Sequence, residues 1–234
     1  AGSQAKADEV MTWLIKAVLL KHKLLVHDFL TLKEGAQIPK LSCKDIFNMK
    51  CVTGNRVTIE EKEFGGMLNL RGNPEDESFR LGVRRALDID LPVQPMKSSR
   101  NERLSCFWLA PDAWLIVTSL DSIDEITTNL KKELHHQHVA MVDVSDARVA
   151  LRLSGENARE LLMKVGAVNC NPLTFLSKKI MQASFINVPA ILYAQSDSPQ
   201  VFDILVPRSY AEFIWQWLAD AVEKISVTFN SREK

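Results

Sequence analysis

Three histidines near the middle of the chain form its densest group of side chains with metal-binding chemistry. They stand as His135-His136-x-His138. Imidazole nitrogens bind Zn²⁺ and similar ions, but a site also needs further ligands at a suitable spacing, and no Cys or carboxylate follows at such a spacing. The cluster lies where a helical pattern gives way to a strand pattern. We therefore expect the imidazoles to complement the negative end of a helix dipole, and we predict no metal site.

A serine between two aspartates offers a second set of reactive groups. Asp143, Ser145 and Asp146 follow a strongly apolar stretch. A nucleophilic serine at a strand-to-helix turn needs glycines around it, and they are absent here. Aspartate and serine are also common turn residues because their oxygens accept from nearby backbone N–H groups. We predict turn hydrogen bonding at this position and no catalytic residue in the chain.

Two arginines follow in an alternating segment. Arg148 and Arg152 alternate with Val149 and Leu151. This pattern is typical of a strand with one solvated face. A carboxylate partner on another chain is the alternative interpretation.

Glycines and cysteines exclude further classes of site. The 234 residues include 9 glycines, none of them in a Gly-x-Gly-x-x-Gly or Gly-x-x-x-x-Gly-Lys-Ser/Thr motif. Backbone approaches a pyrophosphate closely at such motifs, so we predict no cofactor on this chain. No Cys-x-x-Cys pair occurs, which favours reduced thiols in a cytoplasmic protein. The four cysteines are Cys43, Cys51, Cys106 and Cys170.

The charge balance and the most apolar segment limit the classes of partner. Lys plus Arg and Asp plus Glu are 29 each, so no net charge attracts nucleic acid or anionic lipid. Val10–Leu32 is the most apolar stretch, but charged residues such as Lys16 and Lys21 interrupt it too often for a membrane span. We expect this segment to form a helix that packs on its own domain or on a partner.

Two signals recur in order along the chain and indicate a duplication. Leu68-Asn69-Leu70-Arg71-Gly72 returns as Leu151-Arg152-Leu153-Ser154-Gly155, and Ser122-x-x-Glu125 returns as Ser209-x-x-Glu212. The first reads as an alternating strand that stops at a glycine, and the second has capping-box spacing. The sequence therefore predicts an α+β fold with a duplicated strand-helix-hairpin-helix unit. The expected division is an apolar helical extension over 1–55, a first unit over 56–148 and a second unit over 149–234.

Local patterns place the elements of each unit. Asn73 is the expected N-cap of a helix with Pro74 at its first position, and Val139–Val144 is the expected strand buried on both faces. Other predicted strands are Leu104–Leu109, Trp114–Val117, Met181–Val188, Ala190–Ala194 and Val201–Val206. The predicted buried helix stripes are Phe79, Val83, Ala86 and Leu87; Ile123, Ile126, Leu130 and Leu134; and Ala158, Leu161, Leu162 and Val165.

The last helix carries more aromatic surface than one buried stripe needs. Its predicted buried stripe is Ile214, Trp217, Leu218, Ala221, Val222 and Ile225, which leaves Phe213 and Trp215 on another face. Aromatic side chains on a second face suggest burial against another segment or subunit. The candidate interface residues are Phe213, Trp215 and, from the apolar extension, Trp13.

Four stretches resemble the gamma subunit of heterotetrameric sarcosine oxidase. They are Phe64–Pro74, Leu109–Leu115, Val142–Gly155 and Phe202–Leu218, and they keep their order from about Val57 to Ile225. Two departures are Val165-Gly166-Ala167-Val168, where a Gly-Cys step is expected, and a longer, more apolar extension before Asn55.

This resemblance implies a fold similar to the two related units of the folate-binding aminomethyltransferases. It also implies a bacterial cytoplasmic complex that oxidatively demethylates sarcosine to glycine, with hydrogen peroxide and a one-carbon unit as further products. FAD, FMN, NAD and tetrahydrofolate are then expected on the alpha and beta subunits and zinc on the delta subunit. The gamma chain is expected to be non-catalytic and to dock chiefly on alpha.

Two other functions fit parts of the sequence. A stand-alone folate-binding protein or one-carbon transferase of the aminomethyltransferase type would use Asp143 or Asp146 to hold the pterin. A membrane-surface adaptor acting through Val10–Leu32 is the weaker alternative.

Overall fold

The computed structural model describes residues 51–54, 56–62, 65–166 and 168–230, with side chains described as far as residue 223. Within this part of the chain, no helix is long and apolar enough to cross a bilayer. The strands are β1 (Val52–Gly54), β2 (Val57–Lys62), β3 (Gly66–Arg71), β4 (Ser98–Arg100), β5 (Leu104–Ala110), β6 (Ala113–Thr118), β7 (Ala140–Asp143), β8 (Arg148–Ser154), β9 (Ile180–Phe185), β10 (Val188–Asp197) and β11 (Gln200–Pro207). The helices are α1 (Glu77–Leu87), α2 (Ile123–Glu133), α3 (Ala158–Gly166) and α4 (Ala211–Asn230).

The strands form two antiparallel sheets with related orders. The first sheet has the order β4-β5-β6-β3-β7, and the second has the order β9-β10-β11-β8-β2-β1. In each sheet a meander of three strands pairs through its last strand with the strand that precedes the unit's first helix. The sixth strand, β1, extends the second sheet beyond β2. The sheets therefore match over five positions and differ at one edge.

Helices cover the outer face of each sheet, and the inner faces pack on each other. Helices α1 and α2 share a core with the first sheet, and α3 and α4 share one with the second. A third cluster joins the two sheets. Its buried members are Met67, Phe107, Leu115, Val117, Ala150, Ile180, Ile191, Tyr193 and Leu205. The order of layers is helix, sheet, sheet, helix.

The two predicted repeat strands occupy equivalent places. Leu70 in β3 and Leu153 in β8 are both fully buried and face the helices of their own sheet. Gly155 has φ +121°, which glycine alone adopts readily, and a Cβ there would lie 1.9 Å from the Arg56 carbonyl oxygen. At Gly72 a Cβ would instead meet the Phe79 ring at 2.4 Å. Both glycines permit a close approach at the end of the strand.

The predicted strands and helix stripes lie largely where the patterns placed them. The hairpin of β5 and β6 turns at Pro111 and Asp112. The stripe of α2 is buried throughout, and Phe79, Val83 and Leu87 of α1 are buried as well. The prediction of a single strand over Met181–Val188 is wrong. Ile186 and Asn187 have φ angles of 52° and 61°, and they form the turn between β9 and β10.

The predicted side-chain caps of three helices differ from the structure, although α2 begins at Ile123, directly after Ser122, as predicted. Asn73 caps a turn instead of a helix: its Oδ1 accepts from the Glu75 N–H at 3.0 Å, and α1 begins after Asp76, whose carboxylate accepts from the Ser78 N–H. Ser122 precedes α2 without a side-chain capping bond. Ser209 lies inside a one-turn 3₁₀ helix, Arg208–Tyr210, that leads into α4. Short turns before the helices displace these caps.

Candidate functional site

The inner face of the second sheet carries a cluster of charged side chains. Asp203 is fully buried in β11, and Arg152 on β8 donates to both of its carboxylate oxygens, at 2.8 and 3.0 Å. Lys62 Nζ lies 3.4 Å from the same carboxylate, and Gln195 Oε1 accepts from Arg152. The prediction that Arg152 lies on a solvated strand face is therefore wrong, because this face of β8 packs toward the other sheet. Arg152 has its carboxylate partner in its own chain, so the alternative of a partner on another chain is not needed.

This cluster borders an open cleft of about 610 Å³ between the two sheets. Burial lowers the pKa of Lys62, and the Asp203 carboxylate opposes that effect. The wall opposite is polar and contains Arg100, Glu102 and Thr118. Asp203 was not predicted as a site residue, although an aspartate inside the otherwise apolar strand β11 is a signal for a buried, paired carboxylate. The buried pair holds β8 and β11 in register at the edge of the cleft.

Asp143 and Ser145 form a turn, as predicted. The Asp143 carboxylate accepts from the Ser145 N–H at 2.8 Å and from its hydroxyl. The buried Ser145 hydroxyl also accepts from the Met67 N–H at 3.0 Å. Asp146 Oδ1 lies 3.8 Å from an Arg208 guanidinium nitrogen. Neither aspartate lines the inter-sheet cleft, so the geometry does not support the role of holding a pterin there.

The histidines lie just after α2. His135 Nδ1 is 2.8 Å from the Lys132 carbonyl oxygen, which agrees with the prediction that an imidazole complements the helix end. Within the described residues, no group of three or more His, Cys, Asp or Glu side chains could hold a metal ion.

Each helical core contains one buried thiol. Cys106 belongs to the core of the first sheet and Cys170 to the core of the second, while Cys51 is exposed. Burial raises the pKa of Cys106, and it raises the pKa of Cys170 to about 11. Both buried thiols stay protonated at neutral pH and act as small apolar groups. Cys43 lies outside the described residues.

The exposed aromatic side chains of α4 differ from the predicted set. Trp215, predicted to lie off the buried stripe, is 7% exposed and belongs to the core, whereas Trp217, predicted to be buried, is 50% exposed. Phe213 is 46% exposed, and its ring centroid lies 6.2 Å from that of Trp217. The exposed pair on this helix is therefore Phe213 and Trp217. Trp13, with Val10–Leu32, lies outside the described residues.

The apolar strand β7 is an edge strand, so the prediction that it is buried on both faces is wrong. It pairs with β3 on one side and ends its sheet on the other among the described residues. Val142 is 55% exposed. The Val144 N–H donates to the Met67 carbonyl at 2.8 Å. Because every second residue of an antiparallel strand bonds the same neighbour, Val142 and Ala140 also face β3, and the Met141 N–H and C=O point away from it. A strongly apolar strand thus presents main-chain groups at an open edge.

Comparisons with known proteins agree on one family. The model of the "sarcosine oxidase, gamma subunit family" matches residues 71–224. Sarcosine oxidase subunit gamma from Corynebacterium sp. (strain P-1) is 25% identical over 175 residues, 74% of this chain and 84% of the relative. The same subunit from Arthrobacter sp. is 24% identical with the same coverage.

Two solved structures have a similar fold. A chain of heterotetrameric sarcosine oxidase from Corynebacterium sp. U-96, in complex with pyrrole 2-carboxylate, aligns with a TM-score of 0.68 and 26% identity, covering 75% of this chain and 89% of that chain. Aminomethyltransferase T of the glycine cleavage system from Bartonella henselae aligns with a TM-score of 0.54 and 17% identity, covering 84% of this chain and 56% of that one. The second likeness concerns the fold alone.

Proposed function

Because the chain belongs to the sarcosine oxidase gamma subunit family, we propose that it is a non-catalytic structural subunit of a sarcosine-oxidase-type heterotetrameric flavoenzyme. The observation that carries the proposal is the family match over residues 71–224, which includes strands of both sheets and reaches from α1 into α4. The similarity to a chain of a heterotetrameric sarcosine oxidase supports it. The reaction proposed for the assembly is the oxidative demethylation of sarcosine to glycine, with hydrogen peroxide and a one-carbon unit as further products.

The chemistry of that reaction is assigned to other subunits. FAD, FMN, NAD and tetrahydrofolate would be held by the alpha and beta chains and zinc by delta, with alpha as the chief contact of this chain. Ser145, the serine considered as a nucleophile, accepts a hydrogen bond from the Met67 N–H, and its own N–H donates to the Asp143 carboxylate. These contacts form a turn. The two buried thiols have raised pKa values, which disfavours the thiolate that nucleophilic chemistry needs. We place the complex in the bacterial cytoplasm.

The related sheet orders support a duplicated α+β unit of the aminomethyltransferase type. In this proposal β3-α1-β4-β5-β6-α2 and β8-α3-β9-β10-β11-α4 are the two copies. The strand after α2, β7, lies beside β3, and the equivalent place beside β8 is taken by β2. With the proposed unit boundaries of 56–148 and 149–234, β2 therefore belongs to the first unit by sequence but lies in the second sheet. No observation favours the stand-alone folate-binding alternative, since Asp143 and Asp146 lie outside the cleft.

The exposed pair Phe213 and Trp217 remains a candidate contact for the large partner subunit. Phe213 was predicted from the sequence, and Trp217 replaces Trp215 because the latter is buried in its own core. Trp217→Lys is expected to weaken the complex while leaving the free chain folded. Met163→Lys, on the exposed face of α3, is the control.

Purification with the endogenous partners tests the proposed function. The tagged chain should elute with larger subunits as a yellow species that has flavin absorbance and oxidises sarcosine. A colourless species at the mass of the chain itself, or twice that mass, contradicts the proposal.

A further inference from the structure

We propose that strand β7 receives an extended segment of a partner subunit, which adds a sixth strand to the first sheet. The inference rests on the proposed function, because the occupant is another subunit of that assembly. Its starting point is the difference between the sheets. Beside β2 the second sheet has β1, whereas no described residue occupies the equivalent place beside β7.

The edge of β7 lacks several features that protect an edge strand, although the strand has only four residues and ends in the exposed Asp143. Native edges carry lysine, proline or a bulge, which discourage pairing with another chain. Ala140-Met141-Val142-Asp143 contains neither lysine nor proline, and its register with β3 is regular. Val142 is one of the most exposed large apolar side chains in the described residues, at 55%. Such an edge is well suited to strand addition.

The composition of the segment points in the same direction. Val139–Val144 has the near-continuous apolar character that is typical of a strand buried on both faces. In the chain alone, Ala140, Val142 and Asp143 are exposed instead. An added partner strand would bury this surface and would bond the outward N–H and C=O of Met141.

The charges at the two ends of the edge define the chemistry of the occupant. The amino end contains the exposed residue His138. The carboxyl end carries the exposed Asp143, whose carboxylate also accepts from Ser145, and the exposed Asp146, which lies 3.8 Å from an Arg208 nitrogen. In the second sheet the corresponding outer strand is antiparallel to its neighbour. The occupant is therefore an extended segment with an apolar centre, an acidic residue facing His138 and a lysine or arginine facing Asp143.

Substitutions that block the edge test the proposal in the co-expressed complex. Val142→Lys places a charge at the proposed contact, and we expect at least tenfold lower recovery of flavin-containing subunits with the tagged chain. Val142→Thr keeps a β-branched side chain and should assemble normally. Met163→Lys has a similarly exposed position on α3 and is the matched control. Normal assembly of Val142→Lys would overturn the proposal.

A backbone substitution separates the edge from the fold. Met141→Pro removes an N–H that points away from β3, so the free chain should fold while assembly falls at least tenfold. Ala140→Pro removes an N–H that points toward β3 and should destabilise the free chain itself. Equal assembly of wild type and Met141→Pro, with both chains folded, would contradict strand addition.

Hydrogen exchange identifies the occupant directly. The Met141 amide should exchange rapidly in the free chain and at least a hundredfold more slowly in the complex. Protection in the free chain that is lost on deletion of residues 1–50 would overturn the proposal in favour of the chain's own amino-terminal segment. Protection that rises with concentration of the free chain would overturn it in favour of a second copy. Failure of wild type to capture any flavin subunit would refute the proposed function instead.

Discussion

The two sheets of this protein share a strand order but complete it differently. In the second sheet, β2 and β1 extend the edge, and charged side chains on the inner face are paired around buried Asp203. In the first sheet, the order ends at β7, where an apolar strand meets solvent. The second sheet thus pairs a buried carboxylate with Arg152 and Lys62 of its own strands, whereas the first ends at an apolar edge strand among the described residues. In our proposal the two sheets serve different purposes, the second as internal support and the first as a contact surface.

The largest expected effect comes from breaking the charged cluster of the second sheet. Asp203→Asn leaves Arg152 and Lys62 without their buried carboxylate, and we expect the free energy of unfolding to fall by about 3–5 kcal/mol. Asp112→Asn breaks the exposed pair with Arg71 in the first unit and should cost less than about 1 kcal/mol. Urea denaturation of both variants measures the difference. Equal losses would show that the buried pair contributes no more than a surface pair.

The equivalent leucines of the repeat strands test whether the two units unfold together. Leu70→Ala and Leu153→Ala each remove a fully buried side chain, and each should lower stability by about 2–5 kcal/mol. Because the inner cluster joins the sheets, both should shift one common unfolding transition. Calorimetry, together with a spectroscopic probe placed in each unit, checks whether both units unfold in this transition. Two separate transitions would indicate independent units.

The repeat glycines should differ in their tolerance of a methyl group. Gly155→Ala forces a strained backbone against the Arg56 carbonyl, so we expect a loss of about 1–3 kcal/mol. Gly72→Ala meets the Phe79 side chain, which can rotate or shift, and it should cost less. Thermal unfolding of the two variants gives the ranking. The reverse order would show that the Phe79 ring is held more rigidly than the backbone.

The last expected effect concerns the buried thiol of Cys170 and is absent at neutral pH. The pKa of Cys170 in the folded chain, about 11, exceeds the ordinary value of 9.0. As pH rises from 9 to 11, the unfolded chain loses this proton while the native chain keeps it, so stability falls by up to about 1.4 kcal/mol per pH unit. Cys170→Ala should reduce this slope above pH 9 and leave the slope between pH 7 and 8 unchanged. Denaturation at a series of pH values measures it; an unchanged slope above pH 9 would contradict the prediction.

Several features could be predicted because they depend on neighbours along the chain. The positions of β3 and β8, the stripe of α2 and the turn at Asp143 follow from local sequence pattern and turn chemistry. The solvated face predicted for β8 is wrong, because both faces of this strand are covered. Helix starts were less predictable. Asn73 and Asp76 are both good capping residues. The path of the preceding turn determines that Asp76, and not Asn73, reaches the free N–H groups at the start of α1.

The sequence by itself indicated a mixed α and β fold and the family, because hydrophobic periodicity and ordered motifs are properties of the chain alone. Tertiary structure decided which of two overlapping stripes of α4 is buried: Ile214 and Leu218 belong to both, and packing on the second sheet selected Trp215 over Trp217. Tertiary structure also decided that Arg152 forms an ion pair with Asp203 and that β7 is an edge strand. These outcomes depend on which strands become neighbours, and residues far apart in sequence set that order.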